Sequence, residues 1–97
     1  MAELLDPDAV RTALTGVDGW EGGPDGIRRT VRLPSFPAAI AVVDRVAEVA
    51  EEMDHHPDID IRWRTLTFHN VTYSAGGVTA RDIALAQRID GIIADAS

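Results

Sequence analysis

The residues best suited to chemistry in this chain lie in one short run, Glu51-Glu52-Met53-Asp54-His55-His56-Pro57. Two adjacent histidines stand where a long amphipathic pattern ends and a proline forbids its continuation. Imidazole can both give and take a proton near neutrality, so a histidine pair beside a carboxylate suits general acid and base work. The Pro57 ring pushes His56 towards extended backbone, whereas His55 is expected to stay in the last helical turn, so the two rings should diverge. On a continuing helix, Glu51 stands four residues before His55 on the same face, and its carboxylate would orient that imidazole. A plainer account also fits: surface histidines, or helix-end cations that satisfy terminal carbonyls. A metal site using His55, His56 and His69, or Asp54, Asp58 or Asp60, fits poorly. Neighbours in sequence are awkward ligands for one ion, and no helical His-x-x-x-His spacing exists.

The elements that must position this corner are legible in outline. Leu5-Asp6-Pro7-Asp8 opens a first helix, with Asp6 as cap, Pro7 at the first helical position and Leu5 placed to staple onto Val10; Gly16 should end it. After Trp20-Glu21, the turn signal Gly22-Gly23-Pro24-Asp25-Gly26 leads into Ile27, Arg29, Val31 and Leu33 on one face of an alternating segment, which predicts a β-hairpin. Ser35 caps the longest periodic segment, in which Phe36, Ile40, Val43, Val46, Ala50 and Met53 form an apolar stripe expected to face the core. Ile59, Ile61 and Trp63 alternate with charged residues, Arg64-Thr65 is the expected turn, and Leu66 to Tyr73 reads as a β-prone strand. Leu66, Phe68, Asn70 and Thr72 share one face of that strand, and Thr67, His69, Val71 and Tyr73 the other. Gly76-Gly77 breaks it. Thr79 then caps a last helix with Asp82 at its third position, and Ile83, Ala86, Ile89 or Asp90, and Ile93 mark its inner face. The order α-β-β-α-β-β-α implies an α+β fold, one antiparallel sheet covered by helices on one face.

A length of 97 residues fits one domain spanning residues 1–97, with a core small enough to benefit from self-association. Hydrophobic residues make up 45% and charged residues 26%, the composition of a folded globular chain. Without cysteine, neither disulfides nor thiolate chemistry is available. No apolar stretch approaches the ~20 residues of a membrane span and no export signal is evident, so a cytoplasmic protein that does not enter membranes is expected. A net charge of −7 repels a phosphate backbone, which disfavours nucleic acid as a partner; Arg28, Arg29 and Arg32 are expected on a solvated strand edge. The run from Leu66 to Tyr73, with no lysine or proline, would suit a sheet-edge interface.

Taken together, Glu51-x-x-x-His55-His56-Pro57, the aromatic Trp63 and Gly76-Gly77-Val78-Thr79-x-Arg81-Asp82 resemble the signature of the pterin-4a-carbinolamine dehydratases. The resemblance runs from the first helix to the last. It implies a four-stranded antiparallel sheet, assembly into homodimers or homotetramers, no metal or bound cofactor, and dehydration of 4a-hydroxytetrahydrobiopterin to the quinonoid dihydropterin. It further implies that His55 and His56 transfer protons and that Glu51, Pro57 and Asp82 support them. Members of the family usually carry a third histidine followed by an aspartate shortly before the Gly-Gly. Tyr73 and Ser74 stand there instead. A phenol donates a hydrogen bond but is a poor base near neutrality. His69 shares a strand face with Tyr73, yet four strand residues would separate them by about 13 Å. The departure at Tyr73 supports an alternative in which the chain has become an assembly chaperone or protein-interaction module with a protein partner.

Overall fold

The computed structural model describes residues 3–96. Helix α1 (Pro7–Leu14) leads to a hairpin of β1 (Glu21–Gly23) and β2 (Gly26–Arg32), followed by the long helix α2 (Phe36–Met53). A second hairpin, β3 (Asp58–Arg62) and β4 (Thr65–Asn70), is followed by a 3₁₀ turn at Tyr73–Ala75 and by helix α3 (Ala80–Ala96). The four strands form one antiparallel sheet in the order β1-β2-β4-β3. The expected order of elements and the α+β class are those observed.

The local chemistry of the helix starts is as anticipated. The Asp6 carboxylate accepts from Ala9 N at 2.8 Å and the Ser35 hydroxyl from Ala38 N at 3.1 Å. Thr79 Oγ1 accepts from Arg81 N at 3.2 Å while Asp82 Oδ2 accepts from Thr79 N at 2.8 Å, a reciprocal cap that fixes the start of α3. Strand registers place Ile27, Arg29 and Val31 of β2, Leu66, Phe68 and Asn70 of β4, and Ile59 and Ile61 of β3 on the helix-covered face. Ile27, Leu66 and Phe68 are fully buried there against Val42, Val46, Leu85 and Ile89. Each such side chain contributes about 1.5–3 kcal/mol of transfer free energy.

Several details differ from the sequence expectation. Helix α1 stops at Leu14, with Thr15 rather than Gly16 closing it. The buried stripe of α2 runs through Ala39, Val42, Val46, Val49 and Ala50, and Phe36, in the first turn, is exposed. The hydrophobic pattern of α2 extends round more than one face, so Val46 and Ala50 of the expected stripe are buried while Val43 and Met53 are partly buried against the same core. In α3 the inner face adds Leu85 and Ile92 to Ala86, Ile89 and Ile93.

The second hairpin turns one residue earlier than expected, over Trp63-Arg64, because Arg62 pairs with Thr65. Trp63 takes a left-handed conformation, φ 55°, and its ring lies beneath the Arg64 guanidinium at 4.6 Å. Strand β4 is paired on both sides, so the run from Leu66 cannot be a free edge; β1 and β3 occupy the edges. Strand β2 is internal too: Arg28 and Arg32 lie on its uncovered face, whereas Arg29 turns inward to meet Asp90 at 2.6 Å. Among the described residues no helix is long and apolar enough to cross a membrane.

Candidate active site

The histidine corner is created by the way α2 ends. Met53 is its last residue, and Asp54 takes a left-handed conformation, φ 51° and ψ 45°. Asp54 N donates to Glu51 O at 3.2 Å and His55 N to Ala50 O at 3.0 Å, the paired closing bonds of a Schellman cap. This reversal corrects the expectation that His55 belongs to the last helical turn beside Glu51. Beyond the reversed residue His55 is carried inward, 7% exposed, and its Nε2 lies 2.6 Å from Asp82 Oδ1. His56, which precedes Pro57, points outward, and it is His56 Nε2 that bonds to Glu51 Oε2. The rings diverge as expected, with exchanged carboxylate partners.

Asp82 is fully buried and well supplied with donors. Besides His55 Nε2, it accepts from Thr72 Oγ1 and Thr79 N, both at 2.8 Å on Oδ2. Thr72 and Thr79 hydroxyls are themselves 2.8 Å apart, and Asn70 Nδ2 donates to the Asp82 carbonyl at 3.1 Å. A carboxylate removed from water is tolerable only with such partners, and they leave it one orientation. With Nε2–H given to Asp82, the other ring nitrogen of His55, Nδ1, makes no hydrogen bond among the described residues and is the acceptor. Asp82 thus orients His55 from behind.

In front of the histidines is a cleft of about 380 Å³ lined by Asp54, His55, His56, Val71, Thr72, Tyr73, Ser74 and Arg81. Its size is at the low end for small-molecule sites. His55, His56 and Tyr73 meet here, Glu51 stands behind His56, and Asp82 lies beneath the floor. The sequence alone gives Arg81 no task. Its guanidinium donates to Met53 O at 2.9 Å and Asp54 O at 2.7 Å, joining the start of α3 to the carbonyls that α2 leaves unpaired. By pattern, Thr72 and Asn70 are only members of a strand face; their contacts with the start of α3 come from packing that pattern alone does not reveal.

Tyr73 is not on the strand. Strand β4 ends at Asn70, and Tyr73 begins the 3₁₀ turn, 71% exposed at the rim of the cleft. Gly76 closes that turn at φ 83°, and a Cβ on Gly77 would lie 2.6 Å from the Pro24 carbonyl oxygen of the first hairpin, so the two glycines answer different demands. The change of direction also overturns the expected separation of His69 from Tyr73. The Tyr73 hydroxyl donates to Asp58 Oδ2 at 2.6 Å, and His69 Nδ1 lies 3.4 Å from the same oxygen. The bond to Asp58 raises the phenol above its ordinary value of 10.0, and desolvation and the repulsion of that carboxylate act in the same direction. No group of three or more His, Asp or Glu side chains among the described residues is arranged to hold a metal ion.

The family described as "Pterin 4 alpha carbinolamine dehydratase" matches residues 3–92. The chain belongs to that family. A curated protein of Nocardia farcinica named "Putative pterin-4-alpha-carbinolamine dehydratase" is 60% identical over 88 residues, covering 91% of this chain and 93% of that one. A protein of the same name from Mycolicibacterium smegmatis is 51% identical over 92 residues, 95% of this chain and 98% of its own. Among solved structures, a transcriptional coactivator/pterin dehydratase from Brucella melitensis superposes with a TM-score of 0.87 at 30% identity, over 92% of this chain and 97% of that one. A pterin dehydratase-like protein described as a RuBisCO assembly factor in the alpha-carboxysome gives a TM-score of 0.63 at 21% identity, over 76% of this chain and 86% of that one. That last likeness is one of fold.

Proposed function

We propose that this chain removes water from a 4a-hydroxytetrahydropterin, giving the quinonoid dihydropterin, in a cleft where two imidazoles of different character share one substrate. The C4a–oxygen bond breaks, the hydroxyl leaves as water after gaining a proton, and a ring nitrogen loses one, so no oxidant or reductant is required. His55, with Nε2–H fixed on Asp82, presents Nδ1 as the base for the ring proton. His56, backed by Glu51, carries the proton to the leaving oxygen, and the Glu51 carboxylate balances the charge of its imidazolium. Tyr73 at the rim supplies a hydroxyl to the same substrate. Pro57 holds His56 extended, and Arg81 keeps the corner closed.

The observation that carries this reading is the placement of His55, His56 and Tyr73 around one cleft, with His55 held by a buried and fully bonded carboxylate. The reaction would take place in the cytoplasm, in a homodimer or homotetramer of this single domain, without bound cofactor. Decay of freshly prepared 4a-hydroxytetrahydropterin tests it: His56→Ala should slow the catalysed rate by about 10²–10⁴. Equal rates for wild type and His56→Ala at matched concentration would remove the assignment.

A second reading, an assembly chaperone or protein-interaction module with little turnover, is favoured by Tyr73 at the position where the resemblance expects a histidine. A protein sharing the fold is described as an assembly factor. On this reading wild type turns over negligibly and retains a stable protein partner, and Tyr73→His changes activity more than oligomeric state.

A further inference from the structure

The uncovered face of the sheet carries a histidine for which the cleft has no direct use. His69 lies on β4 with Arg28 as its register partner on β2 and Asp58 on β3. Gly26, beside it on β2, has no positive φ to demand a glycine, yet a Cβ there would lie 2.3 Å from His69 Nε2. The missing side chain is the space in which the imidazole sits. From that seat Nδ1 reaches Asp58 Oδ2 at 3.4 Å, and the Tyr73 hydroxyl, 2.6 Å away, uses the same oxygen. Two donors therefore share one acceptor atom, one of them from the rim of the cleft and the other from the far face of the sheet, and each bond to that oxygen weakens the other.

We propose that Asp58 and His69 are positioning residues for Tyr73, with the charge on His69 deciding which way the Tyr73 hydroxyl is presented to the substrate. When His69 is neutral, the phenol donates to Asp58 and shows the cleft only oxygen lone pairs, so it accepts. A protonated His69 bonds Oδ2 with charge assistance and draws its electron density away from the phenol, which weakens that bond and frees the phenol hydrogen to turn into the cleft as a donor. The other charged groups on this sheet face are Arg28, held 3.5 Å from Glu21, Asp60, which pairs with Arg62 at 3.1 Å, and Arg32, four residues along β2 from Arg28 and opposite Thr65. Arg28 and Asp60 are engaged with partners of their own, and Arg32 stands at the other end of the strand. On the cleft side Tyr73 shares the walls with Asp54, His55, His56 and Arg81; the last three are paired with Asp82, Glu51 and the α2 carbonyls already described.

The kinetic arm of the test rests on the dehydratase reading; a second arm does not. Initial rates against pH would be measured for wild type, His69→Gln, Tyr73→Phe and the double variant. In wild type, kcat should change by about 3–10-fold across the titration of His69, the rate equivalent of one hydrogen bond, with KM steady within about twofold. His69→Gln should flatten that step, and in the Tyr73→Phe background it should do nothing further. Independently, the imidazole C–H signal of His69 would be followed by NMR against pH in wild type, Tyr73→Phe and Asp58→Asn. Removing the competing phenol should shift His69's titration upward, and removing the carboxylate should abolish that sensitivity. Superimposable His69 curves in wild type and Tyr73→Phe would overturn the proposal, as would a kcat profile unchanged by His69→Gln in an active enzyme. If wild type shows no turnover at all, the dehydratase reading falls, and the NMR arm alone decides whether the competition exists.

Discussion

Asp82→Asn isolates what the buried carboxylate does, because it keeps the shape and changes one contact. Asp82 Oδ2 accepts from Thr79 N and Thr72 Oγ1, both at 2.8 Å, and an asparagine carbonyl placed there keeps both. The amide nitrogen then occupies the place of Oδ1, 2.6 Å from His55 Nε2, where it can only donate. His55 must move its proton to Nδ1 so that Nε2 accepts. A charge-assisted bond worth about 1.5–3 kcal/mol becomes a neutral one worth about 0.5–1.5 kcal/mol, a net loss of about 1–2 kcal/mol. At about 4–8 °C per kcal/mol for a chain of this size, Tm should fall by about 4–16 °C. Thermal unfolding by circular dichroism reads the loss, and two-bond nitrogen–proton correlations read the tautomer directly. Catalysis should fall by considerably more than stability requires, about 10²–10⁴-fold, because Nδ1 now carries the proton it was to accept. A variant that retains the Nε2–H tautomer with an unchanged Tm would refute the account of Asp82 as the acceptor that orients His55.

Other outcomes follow from the same geometry. Arg81→Lys should lower stability by about 1–2 kcal/mol in urea unfolding and lower kcat as well, because a single ammonium does not reproduce the guanidinium's grip on two carbonyls. Gly77→Ala forces a methyl within 2.6 Å of the Pro24 carbonyl and strains the 2.8 Å bond from Val78 N to that oxygen, so the urea midpoint should fall by the equivalent of about 1–3 kcal/mol at unchanged slope. The chain has one tyrosine, so tyrosinate absorbance reports Tyr73 alone; it should titrate above 10.0 in wild type and nearer that value in Asp58→Asn. By linkage, a folded value raised above the unfolded one means that the Tyr73 to Asp58 bond stabilises fully below pH 10.0 and is lost as pH rises through the higher folded value. The alkaline limb of a stability profile should therefore differ between wild type and Tyr73→Phe.

What the sequence determined by itself is the set of features carried by local rules. Asp6, Ser35 and Thr79 cap helices because a short polar side chain before a periodic run can do little else, and Pro57 separates two rings because its own ring excludes the helical conformation before it. The element order and the end of the long helix just before His55 and His56 are readable for the same reason. Which carboxylate serves which imidazole depends on how the elements pack. One left-handed residue, Asp54, exchanges the partners of His55 and His56, and no periodicity encodes a reversal made by a residue that could equally have stayed helical. The strand that stops at Asn70 brings Tyr73 and His69 to a shared oxygen on β3, although a continuous strand would have held them apart. Asp58, Thr72 and Arg81 acquire their tasks in the same way, through partners 10 to 28 residues distant in sequence, which the packing of α2 against α3 and of β3 against β4 brings within hydrogen-bonding reach.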